Sequence, residues 1–576
     1  MKQSTYHEEI AAGVRAIDRD MGIAEQILAK RGMVDPELVR EFLSPDYQLH
    51  THDPMLLPDM GKAVDRLVKA FEKQEKIHIF SDYDADGIPG AVLLFDALRL
   101  LGYQNVSVYI PHRHNEGFGL NVAAIDTIAT AGTTLVVTID CGSTDTEEVV
   151  RAVEQGIDVI ITDHHEVPDV PPPAFALINP KRVDSQYPFK ELCGAAVAFK
   201  LAKALMSHPA FAAVIKDGQE KWLLDLVGIA TLSDMVPLIG ENRVLASYGL
   251  KVIRKTRRPG LRELIRRLRI PNEYITEDDV VFSLTPRINA ASRMAHPIDA
   301  FNVLSATVEA ASKQVDGLIE INDQRKQAVA VAVKKARRMV EALGDECGCI
   351  VVGDPAWGPG ILGLIANNLL DHFGRTAFVW GREESPAYKG SVRSLEREHC
   401  VHIMKAAAEV DPALFEDFGG HAGSGGFSVG LDSIHRLSEV LVAAHARLYP
   451  ALSADASAEA ASNRNVVEAD MDMQPQHITA ALYKDMQRLA PFGMGNKKPV
   501  IRLKGILAKA DRFGADKQHL SLTVADEWGC AVKVIKFFGA SQYEDFKQKI
   551  ELPVEVLGAL ELSLFAGKKE LRLRLL

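Results

Sequence analysis

The chain has 576 residues, 47% of them hydrophobic and 25% charged, enough to bury several cores, roughly three or four units at the usual domain size. Its formal net charge of −11 argues against a protein that coats nucleic acid over its whole surface, although charge acts locally in a protein with a groove. The opening Met1-Lys2-Gln3-Ser4-Thr5-Tyr6 shows no basic region followed by an apolar stretch, and no apolar run is long enough to span a bilayer. A cytoplasmic protein without membrane contact is expected. Six cysteines (Cys141, Cys193, Cys347, Cys349, Cys400, Cys530) lack a paired Cys-x-x-Cys spacing, so free buried thiols are expected rather than disulfides or a zinc module.

Residues 1–60 read as an N-terminal helical segment, and residues 61–240 as a first α/β unit. Within it, short apolar runs alternate with helical patterns: Ile77-His78-Ile79-Phe80, Val106-Ser107-Val108-Tyr109-Ile110, Leu135-Val136-Val137-Thr138-Ile139 and Val159-Ile160-Ile161. Such alternation predicts a parallel sheet with crossover helices. Helical patterns follow over 195–206 and 221–232. Residues 241–345 form a basic helical region and a charged connector helix over 309–343. From 251 to 269 this region carries Lys251, Arg254, Lys255, Arg257, Arg258, Arg262, Arg266, Arg267 and Arg269 against Glu263 alone, which fits a phosphate-tracking surface or a solvated helix face equally well. A second α/β unit should occupy 346–449, starting at Cys349-Ile350-Val351-Val352. A small-residue linker is expected at 450–465, and short alternating segments over 466–576 predict a β-barrel.

Three acidic motifs follow three of the apolar runs directly: Asp82-Tyr83-Asp84-Ala85-Asp86-Gly87, Asp140-Cys141-Gly142 and Asp163-His164-His165. Strand carboxyl ends line one crevice of an open parallel sheet, so these motifs should converge. Their carboxylates would repel one another without cations between them, and a mixed carboxylate and imidazole set suits Mn²⁺ or Mg²⁺. Two such ions would serve hydrolysis at a phosphorus centre. A calcium-binding loop is excluded because its twelfth position, which needs a bidentate Glu, is Leu93. Asp234, in the apolar segment Thr231-Leu232-Ser233-Asp234-Met235, reads equally as a ligand or as a helix-end cap.

Together these motifs resemble those of the DHH phosphoesterases, and over the whole chain the resemblance is to their RecJ-type branch. It extends through Arg31-Gly32-Met33, Phe42-Leu43, Pro111-His112-Arg113, Gly117-Phe118-Gly119-Leu120, Cys193-Gly194-Ala195-Ala196 and Asp234-Met235-Val236-Pro237-Leu238. Further on it takes in Pro286-Arg287-Ile288-Asn289, Gly390-Ser391-Val392-Arg393-Ser394, Phe418-Gly419-Gly420-His421 and Pro491-Phe492-Gly493-Met494-Gly495-Asn496. The family fold is a DHH domain, a DHH-associated α/β domain and a C-terminal OB barrel. By that resemblance Asp86, Asp140, His164 and Asp234 hold one metal, while Asp84 and the shared Asp140 hold the other. Asp82, Asp163 and His165 support them. A pocket for a terminal 5′-phosphate is implied at Arg113, Ser391 and Arg393 beside Gly420 and His421, with Arg287 and Arg293 facing the strand.

The implied activity is 5′→3′ hydrolysis of single-stranded DNA to mononucleotides in repair and recombination, by a monomer that works with a single-strand-binding protein and a RecQ-type helicase. Some positions depart from the family pattern. Phe80 stands where many members carry a His, which implies weaker binding of one metal. Thr285 and Ser292 replace glycines, and Ser424 and Gly425 replace alanines, near the expected substrate path.

Three other readings compete. Gly358-Pro359-Gly360-Ile361-Leu362-Gly363, with Glu383 and Glu384 about twenty residues on, satisfies a dinucleotide-binding spacing, but Asp354 to Trp357 separate it from the strand where that turn should be immediate. A phosphodiesterase for short oligoribonucleotides or cyclic dinucleotides would share both α/β units but needs neither the basic segment nor the barrel. A catalytically inactive DNA-binding replication scaffold would be free to lose carboxylates that are costly to group.

Overall fold

The computed structural model describes residues 21–344, 348–382, 387–450, 468–564 and 568–576. The expected linker, apart from Pro450, lies outside the described residues, as do Cys347, Glu383, Glu384 and the first twenty residues of the N-terminal segment.

The apolar runs become strands β1 (Ile77–Ser81), β2 (Val106–Tyr109), β3 (Leu135–Ile139) and β4 (Asp158–Thr162), joined by β5 (Ala176–Ile178), which is too short to leave a periodic signal. The sheet is parallel throughout, in the order β2-β1-β3-β4-β5. β1 and β3 are buried along their whole length, as expected of strands covered by helices on both faces. Helix Gly87–Leu100 packs on helix Gly194–Met206 so closely that a Cβ on Gly90 would lie 3.1 Å from the Ala195 Cα. The pattern at 221–232 resolves into a 3₁₀ turn and the helix Leu224–Ser233.

The basic region forms no core of its own. Val244, Leu250, Ile253, Leu261, Leu264 and Ile288 share one hydrophobic cluster with Ile77 and Leu135 of the sheet. Nor do its cations form one phosphate-tracking surface. Arg258 is paired with Asp225 and Asp96, Arg254 donates to the Ile275 carbonyl, Arg266 and Arg267 bind Glu263, and Arg257 stacks on Trp222. Arg269 lies on the wall of the large cavity facing the barrel.

The connector is a single helix of 36 residues, Val308–Leu343. Val315 and Leu318 join the first core, whereas Ala332, Ala336 and Val340 pack on the second unit. That unit has β6 (Ile350–Asp354), β7 (Ala377–Gly381), β8 (Tyr388–Arg393), β9 (Asp417–Gly420) and β10 (Ser424–Val429) in the order β6-β7-β8-β10-β9. Only β6 and β7 are parallel; the other pairings are antiparallel. This topology removes the dinucleotide reading, and Gly360 has another role. A Cβ there would lie 2.1 Å from the Arg293 carbonyl oxygen, so the glycine lets helix Pro359–Phe373 touch helix Thr285–Met294.

The C-terminal barrel comprises β11 (Met471–Met473), β12 (Val500–Phe513), β13 (His519–Ala525), β14 (Ala531–Lys536), β15 (Pro553–Ser563) and β16 (Glu570–Leu575). Long β12 bends at an irregularity between Leu507 and Lys509 and pairs with both β13 and β15, which curls the sheet on itself. Helices Ile23–Lys30 and Pro36–Leu43 pack into this barrel's core through Ala24, Ile27, Leu28, Phe42 and Leu43, so the two ends of the described chain meet.

Arg243 joins barrel to sheet. Although it is only 2% exposed, its guanidinium donates to five carbonyls, those of Phe42 (2.7 Å), Leu489 (2.9 Å), Ala490 (2.9 Å), Arg488 (3.1 Å) and Pro491 (3.4 Å), and it lies 3.7 Å from the Phe42 ring centroid. Among the described residues no helix is long and apolar enough to cross a membrane. Cys141, Cys193, Cys349 and Cys400 are buried free thiols, whereas Cys530 is exposed, contrary to the expectation for that residue.

Candidate metal centre and phosphate pocket

Because β1, β3 and β4 are neighbours, the residues that follow them stand side by side. Asp140 has a φ of 62°, a backbone conformation that non-glycine residues seldom adopt. The turn sets its carboxylate against Gly194, where a Cβ would lie 2.5 Å from Asp140 Oδ1. After β1, the Asp84 carboxylate accepts the amides of Asp86 (2.7 Å) and Gly87 (3.1 Å) and shapes the entry to helix Gly87–Leu100. The Asp86 carboxylate accepts the Gly194 and Ala195 amides at 2.6 and 2.8 Å, at the start of helix Gly194–Met206, where a negative charge is favoured.

His164 Nε2 lies 3.2 Å from Asp140 Oδ1, 3.7 Å from Asp234 Oδ2 and 3.9 Å from Asp86 Oδ2. Three sets of donors each fall within 4.8 Å: Asp86, His164 and Asp234; Asp82, Asp84 and Asp140; and Asp140, His164 and His165. Asp234 therefore belongs to the cluster, and it sits at the carboxyl end of helix Leu224–Ser233, where no cap function accounts for an acid. Asp82 and His165, expected as supporting residues, lie within the same donor sets.

Burial, then the neighbouring Asp84, pushes Asp82 well up from the carboxylate range, and burial followed by Asp86 does the same to Asp140. Burial and Asp84 raise Asp86 to about 7, while burial and Asp86 raise Asp234 to about 9. One oxygen each of Asp82 and Asp140 is buried without any hydrogen-bond partner. Orphaned acceptors among like charges fit a divalent cation. Burial also draws His164 down to about 4, leaving the neutral imidazole that metals bind.

Asp163 behaves oppositely. Burial opposes its charge, but donors at His165 Nδ1 (2.8 Å), His164 N (2.7 Å), His165 N (3.2 Å) and Ser143 N (3.0 Å) hold it well below the usual carboxylate range. Its lone pairs are spent on orienting the two histidines, the support that metal sites require. Phe80 is fully buried and stacks on Tyr109 at 5.4 Å, so it offers the cluster no ligand.

Across from the acids lies a row of arginines. Arg113 stands 4.8 Å above the Tyr83 ring. On β8, Arg393 donates to Ser391 Oγ at 3.0 Å, and Gly363 leaves them room, since a Cβ there would come within 2.9 Å of Arg393 Nη2. Arg293 donates to the Gly360 carbonyl at 3.1 Å. Burial, then the charges of Arg113, Arg325 and Arg393, lowers Arg293 to about 9. Gly420 and His421 border this pocket at the β9–β10 turn, pinned to the end of β8 by Ser394 N donating to the Gly423 carbonyl at 3.0 Å; the His421 side chain is exposed.

Sequence reasoning missed two contributors here. Arg325 sits in a charged stretch of the connector helix that looks like a solvated face, and no local signal distinguishes it. Gly194 was visible only as part of a family string, because the contact that demands it is made by the side chain of Asp140, more than fifty residues away. A cavity of about 1630 Å³ opens between the barrel and residues 269–279, lined by Arg269, Tyr274, Lys498, Lys509, His519 and Phe537. Near it, Phe538 is 79% exposed.

Residues 76–231 match the model of the DHH family, N-terminal domain, and residues 469–576 match that of the RecJ OB domain. The chain is 35% identical to the single-stranded-DNA-specific exonuclease RecJ of Bacillus subtilis, over 88% of this chain and 62% of that protein, so it spans somewhat less than two thirds of that relative's length. It is 32% identical to the same-named protein of Salmonella typhimurium, over 65% of this chain and 67% of that one. RecJ of Thermus thermophilus in complex with Mn²⁺ superposes with a TM-score of 0.74 at 25% identity, covering 99% of this chain and 77% of that one.

Proposed function

Since this chain belongs to the RecJ family of DHH proteins, we propose that it is a metal-dependent exonuclease that hydrolyses single-stranded DNA from the 5′ end to mononucleotides. The observation that carries this reading is the juxtaposition of orphaned carboxylate oxygens with a row of arginines that make no ion pair among the described residues.

Asp86, His164 and Asp234 would hold one divalent ion, and Asp82, Asp84 and Asp140 the other, with Asp140 Oδ1 also facing His164. Mn²⁺ or Mg²⁺ bound there supplies Lewis acidity at phosphorus and a nucleophile from water at neutral pH. With Phe80 contributing no ligand, the second set is made of carboxylates alone, a harder and weaker site. Asp163 fixes the ring of His165 and leaves the other ring nitrogen for the substrate side. The guanidiniums of Arg113 and Arg393, with the Ser391 hydroxyl, suit the oxygens of a terminal 5′-phosphate, which sets polarity. The barrel-side cavity, with cations and aromatic rings on its wall, suits a single strand gripped without regard to sequence.

The metal set, the phosphate pocket and the barrel all come from one chain, which supports action as a monomer. A duplex must first be opened to supply the strand, so a RecQ-type helicase and a single-strand-binding protein are the partners this activity calls for, with cytoplasm as the compartment. The test is nuclease activity on 5′-labelled and 3′-labelled single strands in Mn²⁺ and in EDTA, beside Asp140→Ala. Immediate mononucleotide release from the 5′ label, lost in EDTA and in the variant, is expected. Activity confined to short RNA would instead favour an oligoribonucleotide phosphodiesterase, and binding without cleavage a scaffold.

A further inference from the structure

Arg113 and Arg393 reach the phosphate pocket from different parts of the chain, Arg113 from the loop after β2 and Arg393 from β8 of the second α/β unit. Two guanidiniums grip one phosphate only at a suitable spacing, so the loop and the strand need a common reference. On its own side the loop is tied down by Glu116, whose carboxylate accepts the Tyr109 hydroxyl at 2.5 Å and the His112 amide at 2.6 Å. Those bonds hold it to β2 and to nothing across the pocket.

The crossing is made by the residue after Arg113. His114 is half-buried, and its Nε2 lies 3.1 Å from the main-chain carbonyl oxygen of Arg293, 179 residues away. A carbonyl only accepts, so this ring nitrogen carries the proton. Burial draws His114 below the ordinary imidazole range, which leaves the ring uncharged near neutral pH with its single N–H committed to this bond. The carbonyl belongs to the last turn of helix Thr285–Met294, where the helix itself supplies no donor. Among the described residues no other side chain of the 111–120 loop hydrogen-bonds to that helix; His112 only brings its ring to 5.9 Å from that of His296, just beyond it.

The same carbonyl oxygen faces Gly360, and Arg293 Nη1 bonds the Gly360 carbonyl in return at 3.1 Å. Three residues further along helix Pro359–Phe373, a Cβ on Gly363 would lie 2.9 Å from Arg393 Nη2 and 3.2 Å from Ser391 Oγ. A continuous line of contacts therefore runs from the Arg113 loop through His114, the Arg293 main chain and the start of that helix to Arg393.

We propose that His114 is a positioning residue for the terminal phosphate: its Nε2–H bond to the Arg293 carbonyl sets the reach of Arg113 toward Arg393, and with it the preference for a 5′-phosphorylated end. The inference rests on the reading of Arg113 and Arg393 as the terminal-phosphate pocket. His114 acts through the backbone it holds and not by contact with the strand.

The test compares kcat and KM for release of the first nucleotide from 5′-phosphorylated and 5′-hydroxyl strands by the full chain in Mn²⁺. His114→Ala should lower the preference for the phosphorylated end roughly fivefold, a part of what one charge-assisted hydrogen bond supplies, and the loss should fall on KM. His114→Gln, whose amide nitrogen can reach the same carbonyl, should keep the preference, whereas His114→Asn, one carbon shorter, should lose it as Ala does. A role in packing alone gives no reason for Gln and Asn to part. The preference is a ratio read on active molecules, so a fraction that fails to fold leaves it unchanged, and the Gln and Asn variants decide the matter if His114→Ala does not fold.

An unaltered preference in His114→Asn, or an equal loss in the Gln and Asn variants, refutes the role of the bond. Absence of any preference in the unaltered protein would remove the phosphate pocket and this inference together, whereas a preference that falls in Arg113→Ala yet survives in His114→Asn removes this inference alone.

Discussion

The acidic cluster and the arginine row are the same electrostatic problem posed with opposite signs, and they are solved differently. Asp82, Asp86, Asp140 and Asp163 are buried, Asp84 and Asp234 half-buried, and all but Asp234 lie next to one another because three adjacent strands of one parallel sheet end there. The arginines are mostly half-buried and meet only where the first unit, the connector helix and the second α/β unit are pressed together around Arg293. A compact ion needs fixed ligands within a few ångströms, which one rigid sheet supplies. An extended polyanion needs charges spread along a path, which a seam between units supplies.

The contrast can be tested from its strongest consequence downward. Asp140→Ala should lower the rate of nucleotide release on the order of a thousandfold, because Asp140 stands in two of the three donor sets; single-turnover kinetics at saturating Mn²⁺ would show it, and a loss under tenfold would mean that the carboxylates do not act as one unit. Mn²⁺ at a hundredfold excess over its Kd should stabilise the protein by about 2.7 kcal/mol, read as a rise in melting temperature that Asp140→Ala largely abolishes. Replacing Arg113 and Arg393 together by Ala should remove a preference of roughly tenfold to a hundredfold for 5′-phosphorylated over 5′-hydroxyl strands, measured by competition. An unchanged preference would discard that pocket.

The smallest effects compare the two regions directly. Without metal, Asp140→Asn should raise stability by about 1 kcal/mol, since it removes one buried like charge and Asn accepts a positive φ. Arg293→Gln should also stabilise, but by only a few tenths of a kcal/mol at physiological salt, because the other guanidiniums in the row are better screened. Chemical denaturation of both variants in EDTA gives the ratio, and a larger gain from the arginine change would reverse the ranking of the two regions.

The same contrast decides what could be read from the sequence. Asp82, Asp140 and Asp163 each follow an apolar run within two residues, so strand periodicity alone placed them at one edge of a sheet. The connector helix and the start of β6 were legible for the same reason, as strong local periodicity. The short β5 left no periodic signal, and the sharing of a core between the N-terminal helices and the barrel and the ion-paired fate of Arg258 were not legible because they depend on partners elsewhere in the chain. Asp234 lay between these cases. Its neighbours showed that a bare carboxylate would be costly, but only the position of His164 showed what relieves it.

For the proposed exonuclease, Arg243 bears on how far digestion would run. A guanidinium that binds only main-chain carbonyls competes with no acid and responds little to salt, so the barrel stays at one distance from the strand ends of the sheet. A cutting edge and a handle at fixed separation make a measuring device. While the strand is long enough to touch both, each removal leaves the next nucleotide held, but once the remainder no longer spans the gap it loses the handle and leaves. Products of exhaustive digestion should therefore include a remnant of defined length, and that length reports the span that Arg243 maintains.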